Sequence, residues 1–147
     1  MPIKDVIGTR GPAVSFSEEE VAYMRSQRLA RIATVAEDGQ PDVSPVGFDF
    51  DGTHLFVGGG DPARTRKFRN VRSGNTKIAI VVDDVPCTDP WSPRYLRVYG
   101  EAELVERETA SGPRPYMRIT PLVSWSCNLD GRPLTGDRRV RRTVHRP

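Results

Sequence analysis

The residues of this chain best suited to chemistry sit together between Leu55 and Arg72, in the run LFVGGGDPARTRKFRNVR. Three apolar residues lead into Gly58-Gly59-Gly60, and a turn follows at Asp61-Pro62. Arg64, Arg66, Lys67, Arg69 and Arg72 then alternate with Thr65, Phe68 and Val71. Phe68 and Val71 stand three apart, so one helical turn buries both and leaves Thr65 and the cations on the other faces. Glycines let backbone approach a bound group closely. Free amides at a helix start, a hydroxyl and several cations together suit an oxyanion, a phosphate above all. The same run also reads as a solvated basic helix face. The glycine triplet alone is a weak signal, and spaced nucleotide motifs such as the Walker pattern are absent.

Other chemistry is hard to find. Nothing is arranged as a catalytic triad. His54, in a predicted strand, and His145, in the tail, have no partner pattern. Asp83-Asp84 suits capping or solvation better than a metal or an acid pair. Cys87 and Cys127 are too few for a disulfide framework and lack metal spacing. A tyrosine or a bound water is the candidate proton donor, and the sequence does not say which.

The elements that must present the Thr65 run are short. A length of 147 residues gives one domain, small for an enzyme that closes its own site, and clefts completed by a partner subunit are common ligand sites. No apolar run approaches the roughly 18 residues a membrane span needs, so the expectation is a cytoplasmic protein with no membrane partner. The net charge is +3, and only Lys4, Lys67 and Lys77 among the cations are lysines. The arginines lack interleaved exposed aromatics, which argues against nucleic acid.

Residues 1–16 read as an extended arm. Ser17 and Glu20 fit a capping box opening a helix that ends near Gln27 or Arg28. Leu29 to Ala36 reads as a buried strand. Asp38-Gly39 reads as a two-residue hairpin turn into a strand over Pro41 to Phe50, with Val46, Phe48 and Phe50 on one face and Pro45 at an edge or bulge. Asp51-Gly52 turns into a strand over Thr53 to Val57. After the basic run, Ser73-Gly74-Asn75 stops the helix and Lys77 to Val82 is a strand. Asp83 to Pro93 is irregular. Tyr95 to Val105 alternates, with Leu96, Val98, Gly100, Ala102 and Leu104 on one face. Glu106 to Arg114 reads as a loop, and Met117 to Asn128, broken by Pro121, as a last strand or pair of strands. From Gly131 the chain is basic and polar with no evident core. The expected class is mainly β with short helices (α+β): a six-stranded antiparallel barrel over 17–130, an arm over 1–16 and a basic tail over 131–147.

These segments together resemble a known family. Strands joined by DG turns, then Thr65-Arg66-Lys67, Asn70-Val71 and the strand from Lys77, are similar to the pyridoxamine-phosphate-oxidase-like split barrels, whose Ser/Thr-Arg-Lys after the third strand is a cofactor-phosphate signature. The segments Arg94-Tyr95-Leu96-Arg97-Val98-Tyr99-Gly100-Glu101, Arg118-Ile119-Thr120-Pro121 and Val123-Ser124-Trp125 resemble the branch that uses the deazaflavin coenzyme F-420. Arg31 to Val35, Ser44 to Phe48 and Asp89-Pro90-Trp91 look most like its dehydrotetracycline-reductase subfamily.

The resemblance implies an FMN-binding-like split barrel, homodimeric, with cofactor sites at the interface. Thr65, Arg66 and Lys67 would hold the phosphate, within a set that also takes in Gly58, Gly59, Arg64 and Asn70. Ser44, Pro45 and Val46 would lie along the ring or ribityl chain. Trp91, Arg94 and Trp125 would come from the second subunit or wall the substrate pocket; plain packing is the competing reading for both tryptophans. The implied chemistry is hydride transfer from reduced F-420 to a conjugated C=C or C=N of a bulky small molecule, such as a polyketide antibiotic intermediate. FMN is the alternative cofactor, and a non-catalytic flavin- or deazaflavin-binding protein the alternative role. In hydride transfer of this kind the cofactor carries the hard chemistry, so the lack of an evident catalytic residue fits.

Overall fold

Ser17 opens the first helix as its spacing requires. Its hydroxyl accepts the Glu20 N–H at 3.1 Å, and the Glu20 carboxylate accepts the Ser17 N–H at 2.9 Å. In the computed structural model, which describes residues 14–58, 61, 64–134, 136 and 138–146, this helix, α1, spans Glu18–Ser26. Most of the expected arm lies outside the described residues. Seven strands and a second helix follow: β1 (Leu29–Val35), β2 (Pro41–Phe50), β3 (Leu55–Val57), α2 (Arg66–Arg72), β4 (Lys77–Asp84), β5 (Arg94–Thr109), β6 (Gly112–Cys127) and β7 (Val140–Val144).

The sheet runs β3-β2-β1-β4-β5-β6-β7, every neighbour antiparallel, and β3 also pairs with β6. That pairing closes β1 to β6 into the expected six-stranded barrel. Its interior is filled by Ile32, Leu55, Val57, Ile80, Leu96, Met117 and Ile119, each at most 2 % exposed. Phe68 of α2 plugs it, fully buried. No helix among the described residues is long and apolar enough to cross a membrane.

Several expected elements differ in detail. β1 alternates rather than burying both faces: Ala30, Ile32 and Thr34 face the core, while Leu29 is 52 % exposed. A barrel wall has one outer face, and β-branched composition alone does not reveal it. The Asp38-Gly39 turn is a three-residue loop, closed by Ala36 N–H to Gln40 C=O at 2.9 Å, with Gly39 at φ +88°. The stretch read as a loop over Glu106 to Arg114 is mostly strand, since β5 and β6 pair through to Thr109↔Gly112. This hairpin outruns its neighbours: β4 stops at Lys77↔Glu101 and β3 at Val57↔Met117. Pro113 and Pro115 are tolerated because that edge of β6 is open there. For the same reason Leu104, expected in the core, is 36 % exposed.

The basic tail is also a strand. β7 pairs with residues Val123–Cys127 of β6, beyond the part that pairs with β3. Arg141 reaches the buried carboxylate of Glu20, which also accepts the Ser126 hydroxyl at 2.5 Å. Leu122 is left unopposed where the register shifts between Tyr99 and Gly100, and its carbonyl accepts the His145 N–H at 2.8 Å. His145 is 3 % exposed. Its Nδ1 accepts the Ser15 N–H at 2.9 Å, so the neutral ring carries its proton on Nε2 and donates to Ser124 Oγ, also at 2.9 Å.

Burial is the main cause of a lowered His145 pKa; nearby Glu20 opposes it and Arg141 adds to it. A histidine held neutral stabilises fully above its unfolded value of 6.5, and that contribution is lost as pH falls below it. Lowering the pH from about 7.5 to about 5 should therefore depress Tm more in the wild type than in His145→Gln. Equal depressions in a thermal scan would show that His145 does not anchor the tail.

Candidate functional site

The three residues of β3 are all buried, because β3 is paired on both sides, and the chain leaves the barrel at Gly58. A Cβ on Gly58 would fall 2.3 Å from the Tyr116 ring, so packing of that aromatic already demands glycine here. Gly59 lies outside the described residues. The Arg64 side chain is 88 % exposed and pairs only loosely with Asp61 at 3.7 Å, which leaves it outside any cradle.

Thr65 is the N-cap of α2, in extended geometry, yet its side chain makes no cap bond. Its Oγ1 is buried and has no hydrogen-bond partner. A buried hydroxyl costs free energy unless paired, so this atom is a place where a bound oxygen fits. Arg66 is exposed and Lys67 half-buried beside it, while Phe68 and Val71 face the core as their spacing requires. A hydroxyl, first-turn amides and two cationic residues thus stand in sequence at one end of α2, the residue types that suit a phosphate group.

Asn70 is not part of that convergence. It is 5 % exposed, and its amide donates to Thr34 Oγ1 at 2.9 Å, which staples α2 to β1. Ser44, Pro45 and Val46 split between faces, as a period of two dictates. Val46 is 6 % exposed within the core and Ser44 is half-buried, while Pro45 is exposed on the outside. Three side chains in a row cannot line one ring. What this segment offers is backbone, because β3 pairs with β2 only from Phe48 onward and leaves Pro41 to Gly47 without a second neighbour.

Arg94 is engaged within its own chain. Its guanidinium grips Asp84 twice, at 2.7 and 3.0 Å, and donates to the Leu129 carbonyl at 3.3 Å. It also lies 4.9 Å from the Tyr23 ring centre, and the Tyr23 hydroxyl donates to Asp84 at 2.8 Å. The Arg94 hydrogen bond, outweighing burial, holds Asp84 below the usual carboxylate range. Burial, with Asp84 adding to it, pushes the Tyr23 phenol up. Trp91 is 55 % exposed on the loop after β4, and its carbonyl accepts the Leu134 N–H at 3.0 Å. Trp125 stands on the outer face of β6, with Arg97 at 4.4 Å on its ring and Tyr99 at 4.8 Å. No hydrogen bond, ion pair or ring contact given among the described residues links either tryptophan to Thr65.

Residues that the sequence reading passed over gather on the other side of Gly58. Arg107 spreads over Phe56 at 3.8 Å and Tyr116 at 4.9 Å, and pairs with both oxygens of Asp49 at 3.1 and 3.2 Å. Only the register of the long β5–β6 hairpin brings them together, and Arg107 lies in its outer part, the stretch Glu106 to Arg114 that reads from sequence as a loop. The Ser124–His145 pair does not form a nucleophile with its base, because Nδ1 is the acceptor and Nε2 carries the proton. No group of described residues could hold a metal ion. Arg94→Ala should cost about 1.5–3 kcal/mol, typical of hydrogen bonds to charged groups. Urea unfolding that gave a wild-type midpoint would show the Arg94–Asp84 pair to be idle.

The family model for pyridoxamine 5'-phosphate oxidase matches residues 16–120. The chain is 44% identical over 125 residues to a 5a,11a-dehydrotetracycline/5a,11a-dehydrooxytetracycline reductase of Streptomyces rimosus, covering 78% of this chain and 86% of that protein. Among solved structures, an F420 reductase superposes with a TM-score of 0.58 at 25% identity, covering 76% of this chain and 98% of that one. A conserved hypothetical protein from Mycobacterium tuberculosis gives 0.64 at 22% identity, covering 87% and 95%. Six-stranded barrel and family match agree: the chain belongs to the pyridoxamine 5'-phosphate oxidase family.

Proposed function

We propose that the protein is an oxidoreductase, a homodimer that uses coenzyme F-420 to reduce a conjugated C=C or C=N of a bulky, planar small molecule of the tetracycline type. The observation that carries this reading is the 44% identity to a dehydrotetracycline reductase across most of both chains. The likeness to an F420 reductase and the buried, unpaired Thr65 hydroxyl support the choice of cofactor class. The reduced deazaflavin supplies the hydride. The chain's own residues bind and orient: Thr65, Arg66 and Lys67 hold phosphate, and the open backbone edge of Pro41 to Gly47 borders the ring. The Tyr23 hydroxyl and the Ser124–His145 pair are bound up within the fold, so neither supplies the proton that completes the reduction.

A second copy has a surface to cover. Cross-strand register places Val43, Ala33, Ala79, Tyr99, Val123 and Val144 in one row across the outer sheet. Val43 is 66 % exposed, and Tyr99 and Val144 are 46 % exposed each. An apolar stripe of this extent supports an interface between copies. Light scattering at micromolar concentration should give twice the 16.4 kDa of one chain; a single-chain mass would refute the dimer.

Lys67→Ala should weaken F-420 binding roughly ten- to a hundredfold, the loss expected for a charge-assisted hydrogen bond. Arg72→Ala, at the far end of α2, serves as the control. Equal losses in the two variants would mean that only general positive charge attracts the cofactor. FMN binding as tight as F-420 at the same ionic strength would overturn the choice of cofactor. Reduced F-420 left unoxidised by 5a,11a-dehydrotetracycline would count against the tetracycline-type acceptor.

A further inference from the structure

From β2 to β7 the apolar outer row runs Val43, Ala33, Ala79, Tyr99, Val123 and Val144. Ala33, Ala79, Tyr99 and Val123 all line an open apolar hollow of about 490 Å³. Half a turn about an axis parallel to the strands, between β4 and β5, reverses this row on a second copy. Tyr99 then falls on the partner's Ala79, Val123 on the partner's Ala33 and Val144 on the partner's Val43. Large meets small at the centre, as close packing demands. An axis across the strands would lay Tyr99 on the partner's Tyr99 and alanine on alanine. Charge favours the same choice. Lys77 and Glu101 are paired positions of β4 and β5 on this face, both exposed and neither in a salt bridge among the described residues. The reversal sets each against the partner's other. In the next row it sets Arg31 on the partner's Trp125, a cation on a ring, and no arginine on an arginine.

We propose that a second copy docks in this arrangement, and that the basic tail strand β7 of each copy completes the ligand cleft of the other, with Arg142 facing the open edge of Pro41 to Gly47. The proposal rests on the homodimeric reductase reading above. Within one chain, β7 and that edge lie toward opposite ends of the strand order. The reversal carries β7 onto the partner's β2, the strand whose edge lacks a second neighbour there. The outside of a coiled sheet is convex, so two copies touch along β4 and β5 and part toward β2 and β7. Two equal clefts result, each with a β2 edge on one wall and the partner's β7 on the other. Arg142 is exposed, 6.0 Å from the Trp125 ring centre, and makes no hydrogen bond or salt bridge among the described residues. A free guanidinium beside an aromatic ring suits an anionic or keto oxygen on a planar ligand. The basic tail thereby gains a use that its own chain does not show.

The test is complementation between two weakened copies, with F-420 as the probe. Arg142→Ala alone should bind F-420 about tenfold or more weakly than wild type, with unchanged Tm and the mass of two chains. Arg142→Ala and Lys67→Ala chains are then coexpressed under different tags, and the mixed dimer is isolated. One of its clefts takes Lys67 and Arg142 from the two unaltered positions, and the other takes both substitutions. About half of its sites should therefore bind F-420 as tightly as wild type. If both residues served one chain's own site, every site would carry one substitution and none would bind tightly. A mixed dimer with no tight site overturns the proposal, and so does Arg142→Ala that binds like wild type. Lys77→Glu should raise the dimer's dissociation constant, and adding Glu101→Lys should lower it again; a constant that moves in neither variant overturns the axis. A wild type with a single-chain mass, or one that binds no F-420, overturns the proposal through the reading beneath it. Reduced F-420 that binds yet stays unoxidised by 5a,11a-dehydrotetracycline counts against the reductase reading alone.

Discussion

The three-residue strand β3 is the constraint on which the structure turns. Leu55, Phe56 and Val57 hydrogen-bond to β2 on one side and to β6 on the other, and this double pairing converts an open sheet into a barrel. Closure holds the interior side chains in register and leaves unpaired edge beyond β3, at Pro41 to Gly47 of β2 and along β6 past Ile119. β3 is also the last rigid element before Gly58 and α2. Barrel closure therefore positions Gly58, on which the Tyr116 ring packs, and whatever loosens β3 loosens that exit from the barrel.

Closure at β3 decides the use of β6. Residues 117–119 of β6 are spent on β3, so the rest of that edge is free for another strand. The bulge at Leu122 separates the two uses, and Gly100 opposite it has no room for a side chain, since a Cβ would lie 2.6 Å from Ile119. The returning tail fills the free edge. Glu20 then ties three distant segments at one buried carboxylate: the start of α1, Ser126 of β6 and Arg141 of β7. A buried charge is tolerated because every oxygen is engaged.

Arginine does several jobs here, and few of them involve a phosphate. Arg94 is a two-pronged partner for Asp84, Arg107 a cation against Phe56 and Tyr116 paired with Asp49, and Arg97 a cation on the Trp125 ring. Each uses the planar fork or the flat face of the guanidinium, which lysine lacks. Exposed pairs such as Arg31–Asp83, with both side chains 43 % exposed, contribute little stability by comparison.

The sequence by itself determined the parts whose signals are local. The capping box at Ser17 and Glu20, the Phe68/Val71 spacing of α2, and the alternation through Tyr95 to Ala102 each follow from neighbours a few residues apart, and so does a small six-stranded antiparallel barrel, while its split-barrel kind follows from the family resemblance. Tertiary structure decided whatever depends on partners far along the chain. Asn70 is tied to β1, because Thr34 lies opposite it. Val46 looked like a ring contact and faces the core, because register with β1 sets which way it points. The basic tail shows no core of its own and yet holds a strand, because β6 leaves it an edge. Tyr116 and Arg107 drew no notice, because only a hairpin that outruns its barrel carries them to Gly58. Period and capping act over one or two turns of chain, whereas edges, register and ring stacking exist only once distant segments meet.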